Sequence, residues 1–462
     1  MNGPFGLSDL APALSARLIG GSCDVQGVST DTRNIHAGDL FVALRGENFD
    51  AHDFVKQAVA DGAVAVVVEH EVDVDVPQLV VSNTRMALGN LAAYNRSQFN
   101  GSMFAVTGSS GKTTVKEMLA SINRLRGQTL ATQGNLNNDI GVPLTLLRLS
   151  AGDCYGVIEM GASGAHEIAY STRLAKPDVA ILNNAFGAHL EGFGSLRGVV
   201  LAKAEIFEGL SETGTAVVNL DDPHADIWLG ILQQQPLMTF SIADPGASVF
   251  ASDIHLQANG CYAFKLNYLG RQYPISLSVM GRHNIANALA AAAAVLADGC
   301  QPEVAAKGLS QCQAVAGRMR PIQLDQSTLI IDDSYNANPD AVKAAVDALA
   351  ELEGEKVVVL GDMGELGEGA EAKHREVGEY AATKAIDLLL SCGALSAATH
   401  EGFIAAGGEK AEHFNDKTAL LTTLQQLPKH QRILLVKGSR SAGMDQIVTG
   451  LTNPGSTDGG SH

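Results

Sequence analysis

Basic residues are scarce in this chain. Its 462 residues carry 32 Lys and Arg against 50 Asp and Glu, a formal net charge of −18. That balance cannot furnish a broad cationic face, so no nucleic-acid partner is expected. A polyanionic small ligand would have to be held by local glycine loops, single cations and Mg²⁺ rather than by the overall field. Long apolar runs are also missing. The alanine-rich stretch Leu289–Leu296 is far shorter than the ~20 residues of a membrane span and reads as a buried helix, so no membrane partner is expected. The start, Met1–Gly6, has no basic region followed by an apolar core, so no secretion signal is visible. Cysteines are few: six, at positions 23, 154, 261, 300, 312 and 392, none in a CxxC pair. Free thiols in a reducing, cytoplasmic compartment are the expectation.

A hydrophobic content of 46% suits a globular protein, and the length suits three domains with sizeable cores. The chain is organised around Ala105–Thr114. Met103–Val106 is an apolar strand candidate, and Val115–Ala120 carries a helical pattern. Between them, Gly108 and Gly111 let backbone N–H groups approach phosphate oxygens with no Cβ in the way. The helix start adds unpaired N–H groups and the positive end of a dipole. Lys112 can reach terminal phosphates, and the Thr113 hydroxyl can ligate Mg²⁺. The stretch is not a standard Walker A, which needs a glycine where this chain has Val106. It is the shorter Thr-Gly-x-x-Gly-Lys-Thr-Thr. A glycine-rich βα turn can also bind nothing, but here glycines, lysine and hydroxyls coincide.

Residues 1–98 read as a small α/β domain, with strands at Asp39–Leu44 and Ala63–Val68, a short helix at Phe54–Ala60 and a longer one over Val81–Phe99. Its polar turns, Ser29–Arg33 and Arg45–Asp50, read from composition as solvated loops. Residues 99–315 hold the phosphate loop and the densest polar motifs. Gly156–Ser163 is a strand with Glu159 at its C-terminal end, the edge where ligands sit in open α/β sheets. Asp178–Asn184 is another strand, leading to His189. Residues 245–280 alternate like antiparallel strands. From 316 to 462 a second α/β unit follows, with Leu329–Asp333 ending in carboxylates and Asn338-Pro339 opening a helix. Its alternation implies a doubly wound parallel sheet. On their own, His189 reads as a hydrogen-bonded loop histidine or a ligand, and Lys203 as a solvated helix lysine, paired with Glu205 or another carboxylate, or as a site residue.

Taken together, the motifs resemble the Mur ligase family along almost the whole chain. They are Thr107–Thr114, Gly134–Asn138, Asn183-Asn184 with His189–Ser195, Lys203–Glu205, Gly281–Asn284, Gly317-Arg318, Asp332–Pro339, Leu360–Gly367 and Lys437–Ser441. His189–Ser195, the Tyr335-Asn336 run and Asp362–Gly367 are most similar to the branch that joins UDP-N-acetylmuramoyl-tripeptide to D-alanyl-D-alanine. No Asp-Asn-Pro-Arg tetrad occurs in the C-terminal part, which argues against the diaminopimelate-adding branch. The related folylpolyglutamate synthetases begin almost at the phosphate loop and are disfavoured by the 98 residues that precede it here.

The resemblance implies an α/β protein of three domains: an N-terminal domain for the UDP-linked substrate, a central P-loop ATPase-like parallel sheet and a C-terminal Rossmann-like ligase domain. It implies an ATP- and Mg²⁺-dependent ligase working through an acyl phosphate, as a cytoplasmic monomer. Gly108, Ser109, Ser110, Gly111, Lys112, Thr113, Thr114, Asn284, Arg318 and Asp333 would bind ATP. Thr113 and Glu159 would hold one Mg²⁺, with His189 and a carbamylated Lys203 holding a second. Lys112, Lys203 and His189 would be catalytic. Thr30, Thr32, Asn48 and Phe49 would face the uridine side, with Asn135 and Asn137 near the reacting carboxylate. Arg440 is a candidate for the dipeptide carboxylate.

Overall fold

A computed structural model describes residues 3–46, 49–186, 190–257, 259–428 and 430–453, with the backbone alone at 190 and 191. Three sheets dominate. The first has five strands, in the order Arg17–Ile19, Gln78–Val80, Ala65–Val68, Asp39–Val42, Gly27–Ser29. Only the Arg17–Ile19 edge is antiparallel. The adjoining helix is Thr84–Ser97 and not Val81–Phe99. Asn83 is extended and its side chain accepts the Met86 N–H at 2.8 Å, so the helix starts where the cap permits.

The central sheet has nine strands. In edge-to-edge order they are Arg271–Met280, Cys261–Tyr268, Val249–Leu256, Leu237–Ser241, Thr215–Asn219, Val179–Leu182, Ser102–Thr107, Tyr155–Glu159 and Thr129–Ala131. The last seven pair in parallel, and the first three form the antiparallel meander expected over 245–280. Met103–Val106 are all inaccessible to solvent, as a strand covered on both faces should be. Ser102–Thr107 lies between Tyr155–Glu159 and Val179–Leu182, so strand order turns there and a crevice opens beyond its C-terminal end. The helix His283–Ala297 packs against the sheet with Leu289–Val295 fully buried.

The third sheet has six strands, in the order Arg320–Gln323, Thr328–Asp333, Arg432–Lys437, Glu355–Gly361, Leu388–Cys392, Ala411–Phe414. Five are parallel and the first is antiparallel. Asn338 caps the helix Pro339–Ala350 through the Ala341 N–H at 2.8 Å, with proline in the first turn. Cys261 and Met280 of the central meander pack into the core beneath this sheet, and Tyr262 hydrogen-bonds Glu351. The fold is the α/β architecture expected, with antiparallel edges added to parallel sheets.

Candidate functional site

The C-terminal strand ends of the second and third sheets face one cleft of about 870 Å³. Its central wall begins at the phosphate loop. Gly111 caps the helix Lys112–Arg124 at φ 78°, and a Cβ there would collide with Asn287 and stand 2.7 Å from Asn183 Nδ2. Only glycine suits both the backbone angle and the space. The loop is pinned by its neighbours. The Ser109 N–H donates to Asn184 O (3.1 Å), the Ser110 N–H to Asn184 Oδ1 (2.9 Å), and the Phe186 N–H to Ser109 Oγ (2.9 Å). Asn183 Nδ2 donates to Ser110 O and to Asn287 Oδ1, and Asn287 in turn donates to Asn284 Oδ1. Asn284 Nδ2 donates to Met280 O at 2.6 Å. This amide chain ties the loop to the helix His283–Ala297.

Lys112 Nζ donates to Gly108 O at 2.7 Å. Burial, and then the Arg318 cation, lower its ammonium from the ordinary value, while Glu159 acts in the opposite sense. Glu159 ends its strand and is buried. Its Oε1 accepts from Thr113 Oγ1 (3.2 Å) and Asn137 Nδ2 (2.8 Å). Its Oε2 is buried with no hydrogen-bond partner among the described residues. An orphaned anionic oxygen beside a phosphate-loop hydroxyl suits a hard cation. Among the described residues no three His, Cys, Asp or Glu side chains gather as a metal cluster. An ion at Glu159 would therefore draw on Thr113, water and phosphate oxygens, the mixed donor set that Mg²⁺ prefers.

Lys203, near the end of the helix Leu196–Ala204, is only 2% exposed. Its Nζ stands 5.5 Å from the centre of the Phe193 ring. Burial, and then the charge of Lys112, push its pKa down to about 7, with Glu167 and Glu205 acting in the opposite sense. The solvated-lysine reading fails on burial. Glu205 is engaged elsewhere, since its carboxylate accepts the N–H groups of His166 (2.7 Å) and Ala169 (3.1 Å) at the start of the helix Glu167–Ala175.

The opposite wall comes from the C-terminal sheet. Arg318 Nη2 reaches across to Thr113 Oγ1 at 3.4 Å, and its guanidinium stacks 4.2 Å over the Tyr335 ring. Arg440 approaches the same ring at 5.6 Å. Asp333 Oδ2 pairs with buried Lys437 at 2.5 Å, and its Oδ1 accepts the Met319 N–H. Gly364–Leu366 and Ser439–Ser441 complete this wall.

The cleft thus gathers Ser109, Ser110, Gly111, Lys112, Thr113, Thr114, Asn135, Asn137, Glu159, Asn284, Arg318 and Asp333. Gly108 lies beneath it and receives the Lys112 ammonium. Thr30, Thr32, Phe49 and Lys203 are not part of its lining. Phe49 is 55% exposed on the first domain and stacks on Phe54 with centroids 5.5 Å apart. His189 and Asn48 lie outside the described residues. Tyr335, Lys437, Glu167 and the buried His374 were not singled out from sequence as site residues. Tyr335 and Lys437 lie within Asp332–Pro339 and Lys437–Ser441, and Lys437 ends a strand beside Asp333.

Known proteins match this arrangement. Three family models cover the chain: "Mur ligase family, catalytic domain" over residues 24–96, "Mur ligase middle domain" over 106–295, and "Mur ligase, glutamate ligase domain" over 317–440. The UDP-N-acetylmuramoyl-tripeptide–D-alanyl-D-alanine ligase of Escherichia coli strain K12 is 47% identical over 97% of this chain and 98% of its own. The crystal structure of MurF from Acinetobacter baumannii superimposes with a TM-score of 0.90 at 37% identity, covering 97% of this chain and 99% of that one. MurF from Thermotoga maritima, solved in complex with ADP, gives 0.82 at 28% identity, covering 93% and 97%. On its sequence and its fold alike, this chain belongs to the Mur ligase family.

Proposed function

We propose that the protein is an ATP-dependent ligase that joins D-alanyl-D-alanine to UDP-N-acetylmuramoyl-tripeptide in peptidoglycan precursor synthesis. The observation that carries this reading is full-length likeness to the Escherichia coli ligase whose name states both substrates. The Thermotoga maritima relative was solved with ADP, which supports ATP as the co-substrate. Residues 1–98 would hold the UDP end, 99–315 the ATP phosphates, and 316–462 the ligase side.

The chemistry follows from the two walls. ATP transfers its terminal phosphoryl group to the tripeptide carboxylate, giving an acyl phosphate. The neutral amine of the dipeptide attacks the acyl carbon, the tetrahedral adduct collapses, and phosphate leaves as the amide forms. The helix start and the N–H groups of Gly111–Thr114 cradle the phosphates, with Ser109 and Ser110 pinned by Asn184. Lys112 exchanges Gly108 O for the transferring phosphoryl group and neutralises its charge. Asn137 and Thr113 fix the rotamer of Glu159, leaving Oε2 free for Mg²⁺, which would supply charge neutralisation and orient the phosphate oxygens. Arg318 brings a second cation from the facing domain to the Thr113 side. Asn284 and Asp333 still have acceptor lone pairs for the nucleotide after their protein contacts. Asn135 would face the tripeptide carboxylate. Thr30, Thr32, Asn48 and Phe49 would meet the uridine, where the exposed Phe49–Phe54 pair offers a stacking face.

Lys203 is best read as the carbamylated residue. A neutral amine is the form that adds CO₂, and a pKa of about 7 leaves much of it neutral at physiological pH. The ammonium loses one proton to become the amine, and addition of CO₂ releases a second, so a cation disfavoured by Lys112 becomes an anion favoured by it. With His189 it would serve the second Mg²⁺. No helix among the described residues is long and apolar enough to cross a membrane, and all six cysteines are free, which supports a cytoplasmic enzyme. We read it as a monomer. Phosphate release from ATP tests the function: it should require UDP-N-acetylmuramoyl-tripeptide and D-alanyl-D-alanine together. Release that ignores either one would refute the reading.

A further inference from the structure

The loop from Asp362 to Gly369 carries Gly364–Leu366 into the cleft. It follows the strand Glu355–Gly361 and precedes the helix Ala370–Ala382. Its backbone is not self-supporting. Glu365, Gly367 and Gly369 all take positive φ, at 59°, 62° and 84°, and such a run gains nothing from helix or sheet ladders. The shape must therefore be imposed from outside. Asp362 is anchored through its carbonyl by the Ser439 N–H and through its carboxylate by the Ser396 N–H. Leu366 is anchored through its carbonyl by Lys373 Nζ at 3.1 Å. Met363, between them, is anchored by an imidazole. Its N–H donates to His374 Nε2 at 2.8 Å.

His374 has no solvent exposure. Its other ring nitrogen lies 2.7 Å from Ala370 O. The partners dictate the tautomer: a carbonyl can only accept, so Nδ1 carries the hydrogen, and a backbone N–H can only donate, so Nε2 is the acceptor. The ring is thus a rigid strut from the helix Ala370–Ala382 to the root of the cleft loop. We propose that His374 is a positioning residue: a neutral imidazole held in one tautomer that fixes residues 363–366 as the wall against which the attacking amine of the dipeptide is oriented. The assignment of that wall to the dipeptide rests on the proposed function. The phosphate loop, Lys112 and Glu159 line the opposite wall, and the nucleotide takes Arg318 and Asp333 of this one, which leaves Gly364–Leu366 and Ser439–Ser441 to the acceptor.

The test uses the full-length protein with His374→Gln and His374→Leu. Gln places an amide oxygen where Nε2 was and keeps an acceptor for Met363. Leu fills the volume and leaves the buried N–H orphaned. His374→Leu should raise the KM for D-alanyl-D-alanine about 10- to 100-fold, with the KM for ATP within about twofold of wild type. It should also speed amide hydrogen exchange in a peptide spanning 362–369. His374→Gln should recover most of both effects. A Gln variant no better than Leu, or KM values for ATP and dipeptide that rise together, would overturn the proposal. If the wild-type protein does not consume the dipeptide, the functional reading fails. The exchange of the 362–369 peptide then still decides, alone, whether His374 holds the loop.

Discussion

Replacing Lys112 with alanine should separate catalysis from folding. In the free protein its Nζ is held by Gly108 O at 2.7 Å in a poorly hydrated position that lowers its pKa. Losing that hydrogen bond costs about 1 kcal/mol, and removing a desolvated ammonium offsets part of it. The melting temperature should therefore stay within about 4 °C of wild type. Activity should behave differently. An ammonium about 4 Å from a phosphoryl oxygen, at an effective dielectric constant of about 20, contributes about 4 kcal/mol. That is about three powers of ten in kcat/KM. The assay is phosphate release with both co-substrates present, beside a thermal melt of the same preparation. A folded Lys112→Ala variant within about tenfold of wild-type kcat/KM would remove Lys112 from the phosphoryl-transfer step.

Lys203→Ala should lose most activity, and short carboxylic acids should partly restore it by filling the carbamate's place. Lys203→Arg should not be rescued, because it keeps charge and bulk; an active Arg variant indifferent to acids would defeat the carbamate reading. Stability gives a second handle on Lys203 in CO₂-free buffer. Unfolded lysine keeps its proton up to 10.5 while the folded one releases it at about 7, so the unfolded chain binds more protons in between and stability rises with pH across that window. Lys203→Met should thus stabilise the protein at pH 6 by a few kcal/mol, with the gain fading as pH climbs from 7 to 10.5; denaturant titrations at several pH values would read this. Lys437→Met should cost about 3–5 kcal/mol, because it leaves Asp333 buried without its cation; an unchanged urea midpoint would contradict it.

Much of this could be read from the residues because local rules and tertiary demands agree at those places. The strand, glycine turn and helix at Met103–Ala120 form as their pattern dictates, and Asn338-Pro339 opens its helix as expected. What stayed hidden depends on contacts distant in sequence. Periodicity cannot reveal that Glu205 caps the helix Glu167–Ala175, or that Lys203 is buried beside Phe193 rather than paired with it. Asp333 reads as a free carboxylate at a strand end, yet Lys437, 104 residues away, pairs with it. Nothing in the residues alone marks His374, and only the folded loop puts Met363 against its ring. A helix start at Val81 overlooks a cap signal that the residues do carry, Asn83 before Thr84.

The central claim is amide formation between two named substrates, and the mass of the UDP-linked product tests it most directly. After incubation with ATP, Mg²⁺, UDP-N-acetylmuramoyl-tripeptide and D-alanyl-D-alanine, the UDP species should gain the mass of the dipeptide less one water, with one ADP formed per product. A UDP species of unchanged mass, with or without ATP consumption, would contradict the account.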